Sequence, residues 1–302
     1  MNGDQGADGR GLGLHGEPSS AEASTLYVVA TPIGNLRDLT LRALDLLRTV
    51  DVMAAEDTRH SRVLLDAFGI ATRMIPVHQH NQHAAAGRVV ELLRQGRSVA
   101  LVTDAGTPGI SDPGAAVVRE ARAAGLRVVP VPGASAVTCA LSVAGIEEAG
   151  FCFAGFLPPK AQARRQSLRA LADSAVPVVL FEAPHRIRDT LAAMALELGG
   201  ARRVLLLREL TKRFEEIHEC NLGEASAWLD ADAHRERGEF VVLLHAAPPA
   251  EEAASAGAHT AQLLALLLEE LPAARAARLA ARISGAPREA LYRQALELSE
   301  RT

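Results

Sequence analysis

Cysteine is scarce in this 302-residue chain, and no two cysteines lie close together. Cys139, Cys152 and Cys220 are odd in number and form no Cys-x-x-Cys pair, which argues against a disulfide framework and against a zinc finger. Isolated thiols fit a reducing cytoplasm. Long apolar runs are also lacking. The longest are strand-length or broken by charges, short of the ~20 residues that a membrane span requires. Residues 1–24 are rich in Gly, Ser and acidic side chains and have no apolar core of the signal-peptide type, so they are predicted to be a disordered tail. Gly11, Gly13 and Gly16 in that tail fit Gly-x-Gly-x-x-Gly, but no strand precedes them, and the dinucleotide reading is set aside. No internal repeat is visible. A net charge of −4 speaks against nucleic acid wrapped over the whole surface, while leaving room for a local basic patch.

Apolar residues make up 48% of the chain and charged residues 23%, a globular composition long enough for two domains with separate cores. Short apolar runs alternate with helical periodicity through the first half. Strands are expected at Leu26–Ala30, Asp51–Ala55, Arg73–Val77, Ser98–Thr103 and Arg127–Val131. Helices are expected around Leu41, Leu44 and Leu47, then at Thr58–Phe68, Ala84–Arg94, Asp112–Ala124 and Gly133–Ala144. This rhythm implies a mostly parallel sheet covered on both faces, an α/β domain over 25–145.

Beyond Gly145 the rhythm changes. Strands at Phe151–Ala154, Val176–Phe181 and Arg203–Arg208 are joined by helices at Ala161–Ala172 and Ile187–Leu198. Glu215–Cys220 and Glu239–Leu244 read as adjacent strands flanking a short helix around Trp228. A second α/β domain with a mixed sheet is expected over 146–245. Ala246–Gly257 reads as a linker, taken to 258, and 259–302 as a helical module with helices at Ala273–Ile283 and Arg288–Leu298.

The chemistry concentrates at strand ends. The segment from Thr103 to Gly114 leaves a buried strand with several glycines and prolines. Glycine lets the backbone approach a ligand, and ligands of open α/β sheets bind at this edge. The plainer reading is a strand-to-helix connection with Asp112 as its cap. Thr31–Asn35 and Pro130–Ala136 leave the same edge if the sheet is parallel, and the second opens a helix whose N-terminus suits a carboxylate. Glu56 to His60 could bind substrate or simply cap a helix. His78, His80 and His83 lack a definite partner for a metal, and a polar loop is the better reading. Phe181–Arg186 and Arg208–Arg213 each bring acid and base together after a buried strand.

The ordered set Thr31-Pro32-Ile33-Gly34-Asn35, Glu56 to His60, Asp104 to Pro108, Pro132-Gly133, Phe156-Leu157-Pro158, Glu182 with His185-Arg186, Arg208 to Lys212 and Gly238-Glu239 resembles the bacterial 16S ribosomal RNA (cytidine-1402-2′-O)-methyltransferases, of the tetrapyrrole-methylase fold family. The resemblance runs from about Leu26 to His245. It implies S-adenosylmethionine as methyl donor, held in the cleft between two α/β domains, a homodimer, and a substrate in the small ribosomal subunit. It implies donor contacts at Pro32, Gly34, Asp104, Ala105, Gly106, Thr107, Pro132, Gly133, Ser135 and Ala136. Gln79 stands where an acid is common and Phe181 where an aromatic hydroxyl is common.

Methyl transfer from a sulfonium is mainly a positioning task, and it requires no metal. A ribose 2′-hydroxyl is a poor nucleophile, so a base or a cation would help. Glu182, His185, Lys212 and Asp57 qualify by type and are not ranked by the sequence. Phosphate contacts are expected from Lys160, Arg164, Arg165 and Arg169 on one helix and from Arg275, Arg278 and Arg282 on another, with Arg59, His60 and Arg186 as further RNA contacts. Ordinary solvated arginines are the plain alternative. A methylase of tetrapyrrole-like small molecules on the same fold is the competing function; the basic helices and the C-terminal module favour RNA.

Overall fold

The computed structural model describes residues 18–78, 82–111, 114–248 and 250–299. The chain divides into two compact units. One contains the chain up to Thr31 together with Arg37–Gly133; the other contains Pro32–Leu36 and everything from Ala134 onward.

The first unit is built on five parallel strands: β1 (Thr25–Val29), β2 (Val52–Ala55), β3 (Arg73–Pro76), β4 (Val99–Val102) and β5 (Arg127–Val131), in the order β3-β2-β4-β1-β5. Strands β2 and β4 are buried at every residue, because helices cover both faces. Leu26, Val52, Ala54, Val99 and Leu101 point to one face and pack with α3 (Gln82–Arg94) and α4 (Ala115–Ala123). Tyr27, Val29, Met53, Ala55, Ala100 and Val102 point to the other, against α1 (Leu41–Thr49) and α2 (Thr58–Ala67). Alternation along each strand thus separates two cores. Truncating a fully buried residue such as Leu101 would cost about 2–5 kcal/mol.

Helix α1 starts where Thr40 accepts a hydrogen bond from the Ala43 N–H. It buries Ala43, Leu46 and Leu47 and leaves Leu41 81% exposed, so the buried stripe is rotated from the expected Leu41–Leu44–Leu47 line. The predicted tail is too long as drawn. The backbone N–H groups of Ser19, Ala21 and Glu22 donate to Asp45, Thr49 and Tyr27, and Glu22 pairs with Arg127, which fastens these residues beside β1. The remainder of that tail, with its glycines, lies outside the described residues, as do Gln79, His80, Asp112 and Pro113.

The second unit holds a mixed sheet of β6 (Cys152–Phe156), β7 (Val178–Glu182), β8 (Arg203–Arg208), β9 (Glu216–Asn221) and β10 (Phe240–Leu244), ordered β6-β7-β10-β8-β9. Only β6 and β7 run parallel. The expected adjacency of β9 and β10 is incorrect, since β8 lies between them. The burial patterns give the reason. Every residue of β10 is buried, as a central strand requires, whereas β9 alternates and forms the edge. Helices α6 (Ala161–Ala170), α7 (Ile187–Leu198) and α8 (Leu222–Asp230) cover one face. Helix α5 (Ala136–Val143) covers the other, where Val137 and Ala140 meet Val179, Leu205, Leu207, Val241 and Leu243. Packing therefore places α5 with the second unit, and the division falls at Gly133 rather than near Gly145.

Three C-terminal helices follow: α9 (Ala250–Glu270), α10 (Ala273–Ser284) and α11 (Arg288–Ser299). They share a core of Leu264, Ala276, Ala277, Ala280, Leu291 and Ala295. The predicted linker is mostly helix, because its Ala and Glu residues beyond Pro248-Pro249 are strong helix formers.

Candidate functional site

In the first unit, β2, β4, β1 and β5 are parallel neighbours, so the turns that follow them leave one edge of the sheet. The turns are tied together. Thr31 and Gly106 exchange backbone hydrogen bonds of 2.9 and 3.0 Å, and the Thr31 hydroxyl donates to the Thr103 carbonyl. The Thr103 hydroxyl donates to Glu56 at 2.6 Å, and Asp104 Oδ1 accepts the Asp57 N–H at 3.1 Å. Gly106 has φ +78°, a conformation that favours glycine. A Cβ on Gly133 would stand 2.9 Å from that of Ala30, so close packing of the β1 and β5 ends excludes any larger residue.

Asp57 caps α2 through the Arg59 N–H and grips the Arg59 guanidinium, which holds its carboxyl far below the usual carboxylate range. That makes Asp57 a feeble base. Arg59 and His60 are exposed.

In the second unit, Glu182 ends β7 with its side chain buried. It accepts from the Thr190 hydroxyl at 2.6 Å and from the Ala183 N–H, and Arg186 Nε lies 3.2 Å away. Arg186 also donates to the Leu157 carbonyl at 2.6 Å. These two residues fasten the Leu157-Pro158 turn to β7. A carboxylate with its oxygens so occupied is poorly placed to accept a substrate proton, and Arg186 is committed internally rather than to RNA. His185, between them, is exposed.

The turn after β8 is strained. Glu209 and Thr211 adopt φ +53° and +67°, where a side chain costs about 1–2 kcal/mol. The strain presents Lys212 between two carboxylates, with Nζ 2.9 Å from Glu209 and 2.8 Å from Glu239. Burial pushes the ammonium down, but the hydrogen bonds to Glu239 and Glu209 outweigh it and hold the Lys212 pKa above its ordinary value. Burial likewise opposes charge on Glu209, yet the Glu239 N–H and Lys212 hold that carboxyl below its usual range. Two glycines make the arrangement possible. A Cβ on Gly238 would stand 2.4 Å from Glu209 Cγ, and one on Gly34 would stand 2.4 Å from Lys212 Cγ. Lys212 is thus a fixed cation. Glu209 and Glu239, its clamp, were missed as site residues; the sequence signal was the Gly238-Glu239 pair, whose partner cannot be seen without the sheet.

The basic helix α6 also reads differently. Arg164 is buried, and Arg165 and Arg169 both pair with Glu197 of α7. They hold α6 to α7. Lys160, at the helix start, remains exposed, as do Arg275, Arg278 and Arg282 on α10. Among the described residues no group of three His, Cys, Asp or Glu could hold a metal ion, and no helix is long and apolar enough to cross a membrane. All three cysteines are free.

Comparison with known proteins gives this geometry its context. The family model of the tetrapyrrole (corrin/porphyrin) methylases matches residues 25–226. The chain belongs to that family. A second model, described as the RsmI C-terminal HTH domain, matches residues 254–299 of this methylase. The methylase is 50% identical over 277 residues to ribosomal RNA small subunit methyltransferase I of Pseudomonas aeruginosa, covering 91% of this chain and 98% of that protein. It is 47% identical to the protein of that name from Escherichia coli O157:H7, covering 90% and 94%. Among solved structures, diphthine synthase superposes with a TM-score of 0.56 at 15% identity, covering 74% of this chain and 90% of that one. Uroporphyrin-III C-methyltransferase from Thermus thermophilus, complexed with S-adenosylhomocysteine, gives 0.53 at 20% identity, covering 73% and 97%. These structural likenesses bear on the fold alone, and they agree with the expected pair of α/β domains.

Proposed function

We propose that this methylase transfers the methyl group of S-adenosylmethionine to the ribose 2′-hydroxyl of cytidine 1402 in 16S ribosomal RNA, acting on the small subunit as a cytoplasmic homodimer. The observation that carries the reading is the similarity, at 50% and 47% identity over about nine-tenths of the chain, to proteins named ribosomal RNA small subunit methyltransferase I.

The residues present fit the donor. Its amino acid and ribose parts require acceptors and close backbone approach. Asp104 supplies a carboxylate at the strand edge, and Gly106, at φ +78°, supplies backbone without side-chain bulk. In the second unit Thr211 Oγ1 is buried with no hydrogen-bond partner among the described residues, close to the bare face of Gly34. Donor contacts are assigned to Pro32, Gly34, Asp104, Ala105, Gly106, Thr107, Pro132, Gly133, Ser135 and Ala136. When bound, the donor supplies a methyl group made electrophilic by its sulfonium.

The rest falls to the chain. Lys212, kept as an ammonium, stabilises negative charge developing on the attacking 2′-oxygen. Of the four candidates only His185 is exposed, and among the described residues it makes no hydrogen bond or ion pair; an imidazole is also the side chain that most often serves as a general base. The test is transfer of labelled methyl from S-adenosylmethionine to small subunits isolated from cells that lack this gene. Label in the ribose of cytidine 1402 is expected. Label only in a small tetrapyrrole, or no donor binding, would falsify the reading.

A further inference from the structure

Helices α10 and α11 form a helix–turn–helix. Gly285, with φ +71°, ends α10 in the left-handed conformation, and α11 begins at Arg288. Alanines 276, 277 and 280 let the helices approach closely. In such a pair the second helix commonly reads nucleic acid. Here it carries Arg288, Tyr292 and Leu296 four residues apart, one exposed stripe beside buried Leu291 and Ala295. The stripe borders a cavity of about 770 Å³, lined by Leu196, Pro287, Arg288, Glu289 and Tyr292 among others. Its floor is rigid. Gly200 donates to the Gly285 carbonyl at 3.1 Å, and a Cβ on Gly200 would lie 2.7 Å from that carbonyl oxygen.

We propose that this cavity is a site for one unstacked RNA base, which stacks on Tyr292 while Arg288 holds the adjoining phosphate. Charge selects the occupant. Helices α10 and α11 carry five arginines (275, 278, 282, 288 and 293) against Glu289 and Glu297, a local excess of three positive charges on a chain whose net charge is −4. None of the five has an ion-pair partner among the described residues. An aromatic ring beside arginine is the usual platform for single-stranded RNA, and Glu289 can accept from a base amino group. Base recognition is thereby placed on α11, while the α10 arginines keep the phosphate contacts expected of them. It rests on the reading that the substrate is ribosomal RNA.

The test compares wild type, Tyr292→Ala, Tyr292→Phe and Arg288→Glu in steady-state methylation of small subunits. A stacked base implies a rise of roughly 10-fold in KM for subunits on Tyr292→Ala. Tyr292→Phe, which keeps the ring, should restore KM, and Arg288→Glu should raise it and weaken its salt dependence. Replacing Tyr292 with p-benzoylphenylalanine should give an ultraviolet cross-link to 16S RNA. Unchanged KM in Tyr292→Ala, equal damage in Tyr292→Phe, or a cross-link to a ribosomal protein instead of RNA overturns the proposal. If wild type itself transfers no methyl to subunits, it is the underlying reading that fails, and wild-type activity with indifferent Tyr292 variants separates the two.

Discussion

Replacing Lys212 with alanine should separate what its clamp does for the fold from what the cation does for the reaction. Nζ lies 2.9 Å from Glu209 and 2.8 Å from Glu239. Contacts of that length carry roughly 4–6 kcal/mol of gross attraction at an effective dielectric near 20, and desolvation offsets most of it. The net loss is therefore about 1–3 kcal/mol, chiefly the cost of leaving Glu209 without its counter-ion. For a chain of this size that lowers the melting temperature by about 2–12 °C. The sign with pH follows from the raised Lys212 pKa. Its stabilisation is complete below the unfolded value near ~10.4 and is lost as pH rises through the folded value. The melting-temperature gap between wild type and Lys212→Ala should hence be flat around neutrality and close only in strong alkali. Single-turnover methyl transfer should fall by about 10²–10³-fold, the usual effect of removing one group that stabilises developing charge. The double variant Lys212→Ala with Glu209→Gln removes the stranded carboxylate, so it should recover stability but not rate. If rate returns together with stability, Lys212 is only a structural pin and the catalytic reasoning is wrong.

Further expectations follow from the same geometry. Gly238→Ala should cost about 2–4 kcal/mol in chemical denaturation, since the new Cβ meets Glu209 at a backbone φ of +89°; a wild-type midpoint would contradict this. Arg186→Ala should lose about 3 kcal/mol of stability by stranding buried Glu182, with no change in the salt dependence of subunit binding. The pair Arg278→Glu and Arg282→Glu should flatten that salt dependence by roughly 1–2 units of slope, whereas Arg165→Glu should act on melting temperature instead. Asp51 is held down to about 2 by the Ser98 N–H and by Arg97. With its folded pKa depressed, its stabilisation is present above the unfolded value of ~3.9 and fades as pH falls toward the folded value. Asp51→Asn should therefore narrow the stability difference between neutral and acid denaturant melts.

The sequence by itself determined the alternation of strands and helices, the two-sided burial of the first sheet and the turns at its edge. Those properties are local: buried strands read as apolar runs, and turn residues declare their own backbone needs. The order of the motifs carried the family for the same reason, since each sits at a strand end that the pattern already marks. Only the tertiary structure decided which charged groups meet. Arg165 and Arg169 find Glu197 across a helix pair, Arg186 finds Glu182 and the Leu157 carbonyl, and Lys212, after β8, finds Glu239 immediately before the neighbouring strand β10. The strand order, too, escaped the sequence, because β8 pairs with the next strand β9 on one side and with the more distant β10 on the other, which parts β9 from β10. A side chain's type is written in the sequence. Whether its charge is spent inside the fold or left for a ligand depends on partners distant in sequence, and only packing sets those.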